Sequence, residues 1–160
     1  MSLTESRTLS ESYPAVPLSI PRARNRLVRF AAAAGAQADQ LESIRLAASE
    51  ALTNVVLHAY RAGAQGRIDV VAAVASGELW LLVADDGTGL RPRPDSPGLG
   101  MGLALIAGIS DGMEVVRRAS GGTEVRMRFS LRATEPPPDH SRGSDDSASS
   151  PASSHFSTTL

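Results

Sequence analysis

Three groups of residues in this 160-residue chain have types and spacings suited to chemistry. The first is Glu50, Asn54 and His58, each four residues from the next, so that on a helix their side chains stack along one stripe. Asn54 offers a neutral amide oxygen suited to a hard cation such as magnesium. Glu50, one turn earlier, can serve as a general base toward a hydroxyl or a water. The second group is Asp85-Asp86-Gly87-Thr88-Gly89, a carboxylate followed by glycines that let a ligand lie against bare backbone. Such a carboxylate can accept a hydrogen bond from an exocyclic amine like that of adenine. The third is Gly98-Leu99-Gly100-Met101-Gly102, whose alternate glycines would expose amide hydrogens at the start of a helix, a cradle for phosphate.

Taken singly, each group has an ordinary explanation: a polar helix face, an acidic turn, a flexible loop. Together they supply a base-reading acid, a phosphate loop and a metal-binding helix, the parts needed to hold a magnesium nucleotide. The glycine loop is not a dinucleotide fingerprint, because Leu103 stands where that pattern needs its third glycine.

Composition narrows the field further. All 16 basic residues are arginine, so a phosphate loop ending in Gly-Lys-Ser/Thr and a lysine Schiff base are both impossible. The absence of cysteine removes disulfides, thiolate metal sites and cysteine nucleophiles. His58, His140 and His155 are too scattered for a zinc site. A net charge of -1 argues against a nucleic-acid partner. No apolar run approaches the roughly 20 residues that span a bilayer, and residues 1–11 lack the apolar stretch of a signal peptide, so a cytoplasmic protein without a membrane partner is expected.

The elements that must position these groups can be read in order. Pro14 and Pro17 confine residues 8–13 to an edge strand. Ser19 followed by Pro21 reads as a capped helix start, and Gly35 as its end. Asp39 and Glu42 suggest a capping box opening a helix to about Arg61, with Leu41, Ile44, Ala48, Ala51, Leu52, Val55 and Ala59 as its apolar arc. On this helix Glu42, Ser49 and Thr53 fall on the wet back. Alternation in residues 68–74 and 79–83 about Ser76-Gly77 predicts a hairpin ending at Asp85. Three prolines make residues 90–97 a loop carrying Arg91 and Arg93. A third helix to about Ser110 and a second hairpin, 113–119 with 123–131, complete the domain. The expected fold is a two-layer α/β (α+β) sandwich: a mixed, mostly antiparallel sheet with three helices on one face. The domain spans 1–132, followed by a disordered Pro/Ser-rich tail over 133–160.

In order and spacing the motifs resemble the GHKL superfamily of gyrase, heat-shock-protein-90, histidine-kinase and mismatch-repair ATPases, with its Bergerat-type ATP-binding fold. Glu50-x-x-x-Asn54 is similar to its first box, Asp85-x-Gly87-x-Gly89 to its second, Gly98-x-Gly100-x-Gly102 to its third and Gly122-Thr123 to its closing threonine motif. The run from Glu50 to Tyr60, the small size and the short loop between the second and third boxes look most like the bacterial anti-sigma factor serine/threonine kinases. That resemblance implies ATP and magnesium as cofactors and a homodimer as the assembly. It also implies two partners, a sigma factor that is sequestered and an anti-anti-sigma (STAS-type) protein that is phosphorylated. It implies Glu50 as general base, Asn54 as magnesium ligand, Asp85 as adenine acceptor, Thr123 as its support, and Gly87, Gly89, Gly98, Gly100 and Gly102 as the pocket's shape. Counting back from Glu50 places Arg24 where the family grips its partners; Arg22, Arg24, Arg26 and Arg29 otherwise read as a solvated helix face. A histidine kinase would need a phosphoacceptor helix pair before Glu50, and a gyrase-type ATPase would need a lysine, so both weaken. A module that binds ATP and sequesters a partner without phosphate transfer stays open.

Overall fold

The computed structural model describes residues 7–60, 64–88 and 99–131. Residues 89–98, including Gly89, Gly98, Arg91 and Arg93, and the tail over 133–160 lie outside them.

The chain runs β1 (Thr8–Pro14), α1 (Ser19–Ala33), α2 (Ala38–Asn54), a π-helical turn (Val55–Ala59), β2 (Arg67–Ala75), β3 (Glu78–Asp85), α3 (Leu99–Ile109), β4 (Gly112–Arg117) and β5 (Thr123–Ser130). Among the described residues the strands form one sheet in the order β1-β2-β3-β5-β4, antiparallel at all four pairings. The two hairpins are local; the β3–β5 seam joins them and sets Val83 opposite Val125.

Strand alternation decides which face is buried. Ile68, Val70 and Ala72 of β2, Leu79, Leu81 and Val83 of β3, and Val125, Met127 and Phe129 of β5 point to the helices and are buried. They meet Ala23 and Leu27 of α1, Ile44, Ala48, Ala51 and Leu52 of α2, and Ile106 of α3 in one core. With so few aromatic side chains, that core is filled by aliphatic residues. The opposite face carries Trp80 and the ion pairs Arg126–Glu114 and Arg128–Glu78.

The β2–β3 turn is the tight one expected, with Ser76 (φ 52°) and Gly77 (φ 77°) both left-handed, as a two-residue hairpin loop requires. Helix α1 ends in a left-handed Gly35 (φ 95°), with the Ala36 amide donating to Ala31 O and the Gly35 amide to Ala32 O.

Four local expectations are corrected. Ser19 is not the cap of α1: Leu18 occupies that position without a side-chain bond, and Ser19 is a buried first helical residue whose amide donates to Val16 O. The capping box of α2 is built by Gln37 and Gln40, not by Asp39 and Glu42; Gln40 also donates to Ser130 O at 2.6 Å, tying the helix start to β5. The long helix does not run regularly to Arg61, since its last turn winds as a π-helix and Tyr60 is already extended (φ −123°, ψ 151°). Ser49 and Thr53 are also only half exposed, because α2 is flanked by both α1 and α3 and keeps just a narrow wet strip.

Candidate nucleotide site

Two clusters of side chains meet around the C-terminal half of α2. In the first, α3 crosses α2 so closely that Gly102 is buried against both polar residues of the stripe. A Cβ at Gly102 would lie 2.8 Å from Glu50 Oε2 and 3.5 Å from Asn54 Nδ2. Glycine lets the first turn of α3, which includes Gly100, come this near without displacing the Glu50 carboxylate. Asn54 is 5% exposed, and its Nδ2 is buried without a hydrogen-bond partner. An orphaned buried amide is a costly arrangement that a ligand would relieve.

The second cluster surrounds Asp85, the last residue of β3, which is 1% exposed. The Gly87 amide donates to its carboxylate at 2.9 Å, and the Thr123 amide donates to it as well. Burial raises the Asp85 carboxyl above its ordinary 3.8, and these two amide bonds oppose the rise. Gly122 (φ 87°) lays its backbone on the same residue: a Cβ there would be 2.0 Å from the Asp85 carbonyl oxygen. Arg118 donates to that carbonyl at 3.1 Å and pairs with Asp69 at 3.6 Å.

The π-turn joins the two clusters. Its wider winding leaves the Ala59 carbonyl outside the helix, and the Thr88 amide (2.9 Å) and hydroxyl (3.3 Å) both donate to it. Gly87 packs on the same group; a Cβ there would be 2.1 Å from Ala59 O. The same winding carries His58 off the line that a regular helix would give it with Glu50 and Asn54.

Of the residues expected from sequence, the structure therefore brings Glu50, Asn54 and Gly102 together, and separately Asp85, Gly87 and Thr123. Arg24 belongs to neither cluster. It is half-buried in the groove between α1 and α2, where its Nη1 lies 3.5 Å from Ser49 Oγ and its buried Nε has no partner, whereas Arg22, Arg26 and Arg29 are exposed. Sequence reasoning gave no role to Tyr60, Asp86 or Arg118. Tyr60 stood within the Glu50 run and Asp86 beside Asp85; only contacts across the fold reveal what they touch.

A family model described as a histidine kinase-like ATPase domain matches residues 13–129. The chain belongs to this family. The match takes in both clusters, and membership makes ATP the nucleotide of this ATPase domain. An anti-sigma F factor of Clostridium botulinum is 29% identical to it over 117 residues, covering 66% of this chain and 82% of that protein. Another from Heyndrickxia coagulans is 27% identical over 121 residues, covering 68% and 82%. Among solved structures, the RsbU and RsbW domains of Rv1364c from Mycobacterium tuberculosis match with a TM-score of 0.60 at 27% identity. That match covers 78% of this chain, which spans only 32% of the larger one. The two-layer architecture expected from sequence is thus that of a histidine kinase-like ATPase domain, and the similarity points to its anti-sigma branch.

Proposed function

We propose that this ATPase domain is an anti-sigma factor and a protein serine/threonine kinase. It binds magnesium and ATP, sequesters a sigma factor, and phosphorylates a serine or threonine of an anti-anti-sigma protein of STAS type. The observation that carries this reading is the convergence of Glu50 and Asn54 on Gly102 in the first turn of α3. A carboxylate held beside a phosphate-binding turn is electrostatically costly, and a base role explains its presence there.

Asn54 could give magnesium one ligand, its amide oxygen, while its unpartnered Nδ2 is a donor suited to a phosphate oxygen. Among the described residues no group of three or more His, Asp or Glu could hold a metal alone. The ion would therefore take the Asn54 amide oxygen and complete its shell with phosphate oxygens and water, as magnesium commonly does. Bound there, it would neutralise charge on the phosphates. Glu50 receives the proton of the attacking hydroxyl as that oxygen bonds to the terminal phosphorus and the bond to the departing ADP oxygen breaks. Asp85 accepts from the adenine amine, Thr123 supports it, and Gly87, Gly89, Gly98, Gly100 and Gly102 shape the pocket. Arg24, half-buried between α1 and α2, grips the protein partners. No helix among the described residues is long and apolar enough to cross a membrane, and the same reading makes the protein a cytoplasmic homodimer.

The test is capture of partners from native cytoplasm by the full chain, then incubation with labelled ATP. Label on a small captured protein, lost with Glu50→Ala while ATP binding persists, supports the kinase. A captured sigma factor with no labelled protein would instead favour a sequestering module that holds ATP without transferring phosphate. Failure of the purified protein to bind ATP with magnesium present would sink both readings.

A further inference from the structure

Tyr60 stands where the Glu50–Asn54 helix stops and the chain turns toward β2. Its hydroxyl is surrounded by four backbone and side-chain groups. The Arg67 amide (2.9 Å) and the Asp86 amide (3.2 Å) donate to it, while the Arg67 carbonyl (2.6 Å) and the Asp86 carboxylate stand ready to accept. A phenol has one proton to give, and an ionised carboxylate is the stronger acceptor, so that proton lies toward Asp86. The Arg67 amide also reaches the same carboxylate at 3.3 Å. The ring lies flat on Gly66, where a Cβ would be 2.1 Å from Tyr60 Cζ, so residue 66 must be glycine for the ring to occupy this place.

The groups that this one hydroxyl joins lie beside the candidate site. Tyr60 is six residues beyond Asn54, Arg67 opens β2, and Asp86 follows the buried Asp85. The neighbouring Ala59 carbonyl holds Thr88 and packs on Gly87. The end of the helix that carries Glu50 and Asn54 is therefore fastened to the segment that follows Asp85 at two adjacent positions, Ala59 through its backbone and Tyr60 through its side chain.

We propose that Tyr60 is a positioning residue of the nucleotide site, acting through Asp86 to fix the spacing between the phosphate end, marked by Glu50 and Asn54, and the base end, marked by Asp85. It touches neither end itself. Its ring and Asp86 are mutually adapted: burial and the bond to Asp86 push the Tyr60 hydroxyl up to about 12, and the same bond holds the Asp86 carboxyl below its ordinary 3.8. The pair thus keeps one protonation pattern, neutral phenol and ionised carboxylate, across the physiological range. This inference rests on the nucleotide site proposed above.

The experiment measures magnesium-ATP affinity by calorimetry on the full chain for wild type, Tyr60→Phe, Asp86→Asn and the double variant. Tyr60→Phe removes one oxygen and keeps the ring on Gly66. Affinity is expected to weaken at least ten-fold in Tyr60→Phe and several-fold in Asp86→Asn. The double variant should be no weaker than the worse single variant by more than about two-fold, because residues acting through one contact are not additive. Independent structural damage would instead multiply the two losses. Tyr60→Phe binding within about two-fold of wild type, or a double variant showing the full product, overturns the proposal. If Tyr60→Phe does not fold, Asp86→Asn alone decides, since it keeps the carboxylate's shape: unchanged affinity then refutes the role. Wild type that binds no magnesium-ATP would refute the underlying site rather than this role within it.

Discussion

A Cβ at Gly102 would lie 2.8 Å from Glu50 Oε2, and the atom it meets is the end of a side chain that can move. Gly102→Ala should therefore fold, with some gain in helix propensity of about 0.5–1 kcal/mol offsetting the contact. Phosphate transfer should fall at least ten-fold as Glu50 is pushed aside. Gly122→Ala differs, because its Cβ meets the Asp85 backbone at 2.0 Å and the residue sits at φ 87°. It should lose about 3 kcal/mol or more. Thermal melts of both variants check the contrast; a Gly122→Ala protein melting like wild type would refute the packing described.

Asp85 should be a residue whose ionisation costs stability. Its carboxyl is raised by burial above 3.8, so below that value it is neutral in both folded and unfolded chains. As pH rises past 3.8 the unfolded chain ionises first, and stability declines until the folded carboxyl ionises too; above that the cost is constant. Asp85→Asn should remove the cost and melt a few degrees higher at pH 7, with nucleotide affinity reduced at least ten-fold. Melting curves from pH 3 to 8 test this, and a lower melting point for the variant at pH 7 would contradict it.

Glu11 and Asp86 behave oppositely. The bond and charge of Arg26 hold Glu11 below its ordinary 4.5, helped by Tyr13, and Tyr60 holds Asp86 below 3.8. Their stabilising contributions are complete above those values and disappear as pH falls through the lower folded ones. The urea midpoint should therefore drop below about pH 4. Arg26→Ala should reduce Glu11's part of that drop; an unaltered acid limb would exclude the Arg26 contact as its source.

Asn54 should trade stability against function. Its Nδ2 is buried without a partner, so an apolar residue of similar size removes that unsatisfied donor. Asn54→Leu is expected to melt at or above the wild-type temperature without ligand and to lose the added protection that magnesium-ATP gives wild type. Melting with and without magnesium-ATP measures both; retention of that protection would exclude Asn54 from the site.

How much of this was legible beforehand varied with the range of the interaction. The β2–β3 hairpin could be read because period-two alternation and Ser76-Gly77 are local signals. Glu50 and Asn54 stood out only once the glycine motifs were set beside their spacing, and the aliphatic face of α2 could be read by its period. The caps were misassigned because Ser19 and Asp39 are good capping residues by type, while the chain leaves the helix at Leu18 and Gln37. Arg24 was singled out on α1 only by resemblance, because nothing on α1 alone says that α2 will half-cover it. The π-turn was invisible in sequence, since its cause is remote: Ala59 and Tyr60 bond to residues as far away as Thr88 and Asp86.

That π-turn also constrains how the gene can change. A helix end at the surface usually tolerates a residue gained or lost. Here the π-turn takes up one residue more than α winding would, so losing one residue along with the π-turn would return the tyrosine close to its place, whereas an added residue or a second loss would carry it about 100° around the axis, away from Arg67 and Asp86. Working descendants of this sequence should thus keep the present number of residues from Asn54 to Tyr60, or lose one together with the π-turn, even where the residues themselves drift.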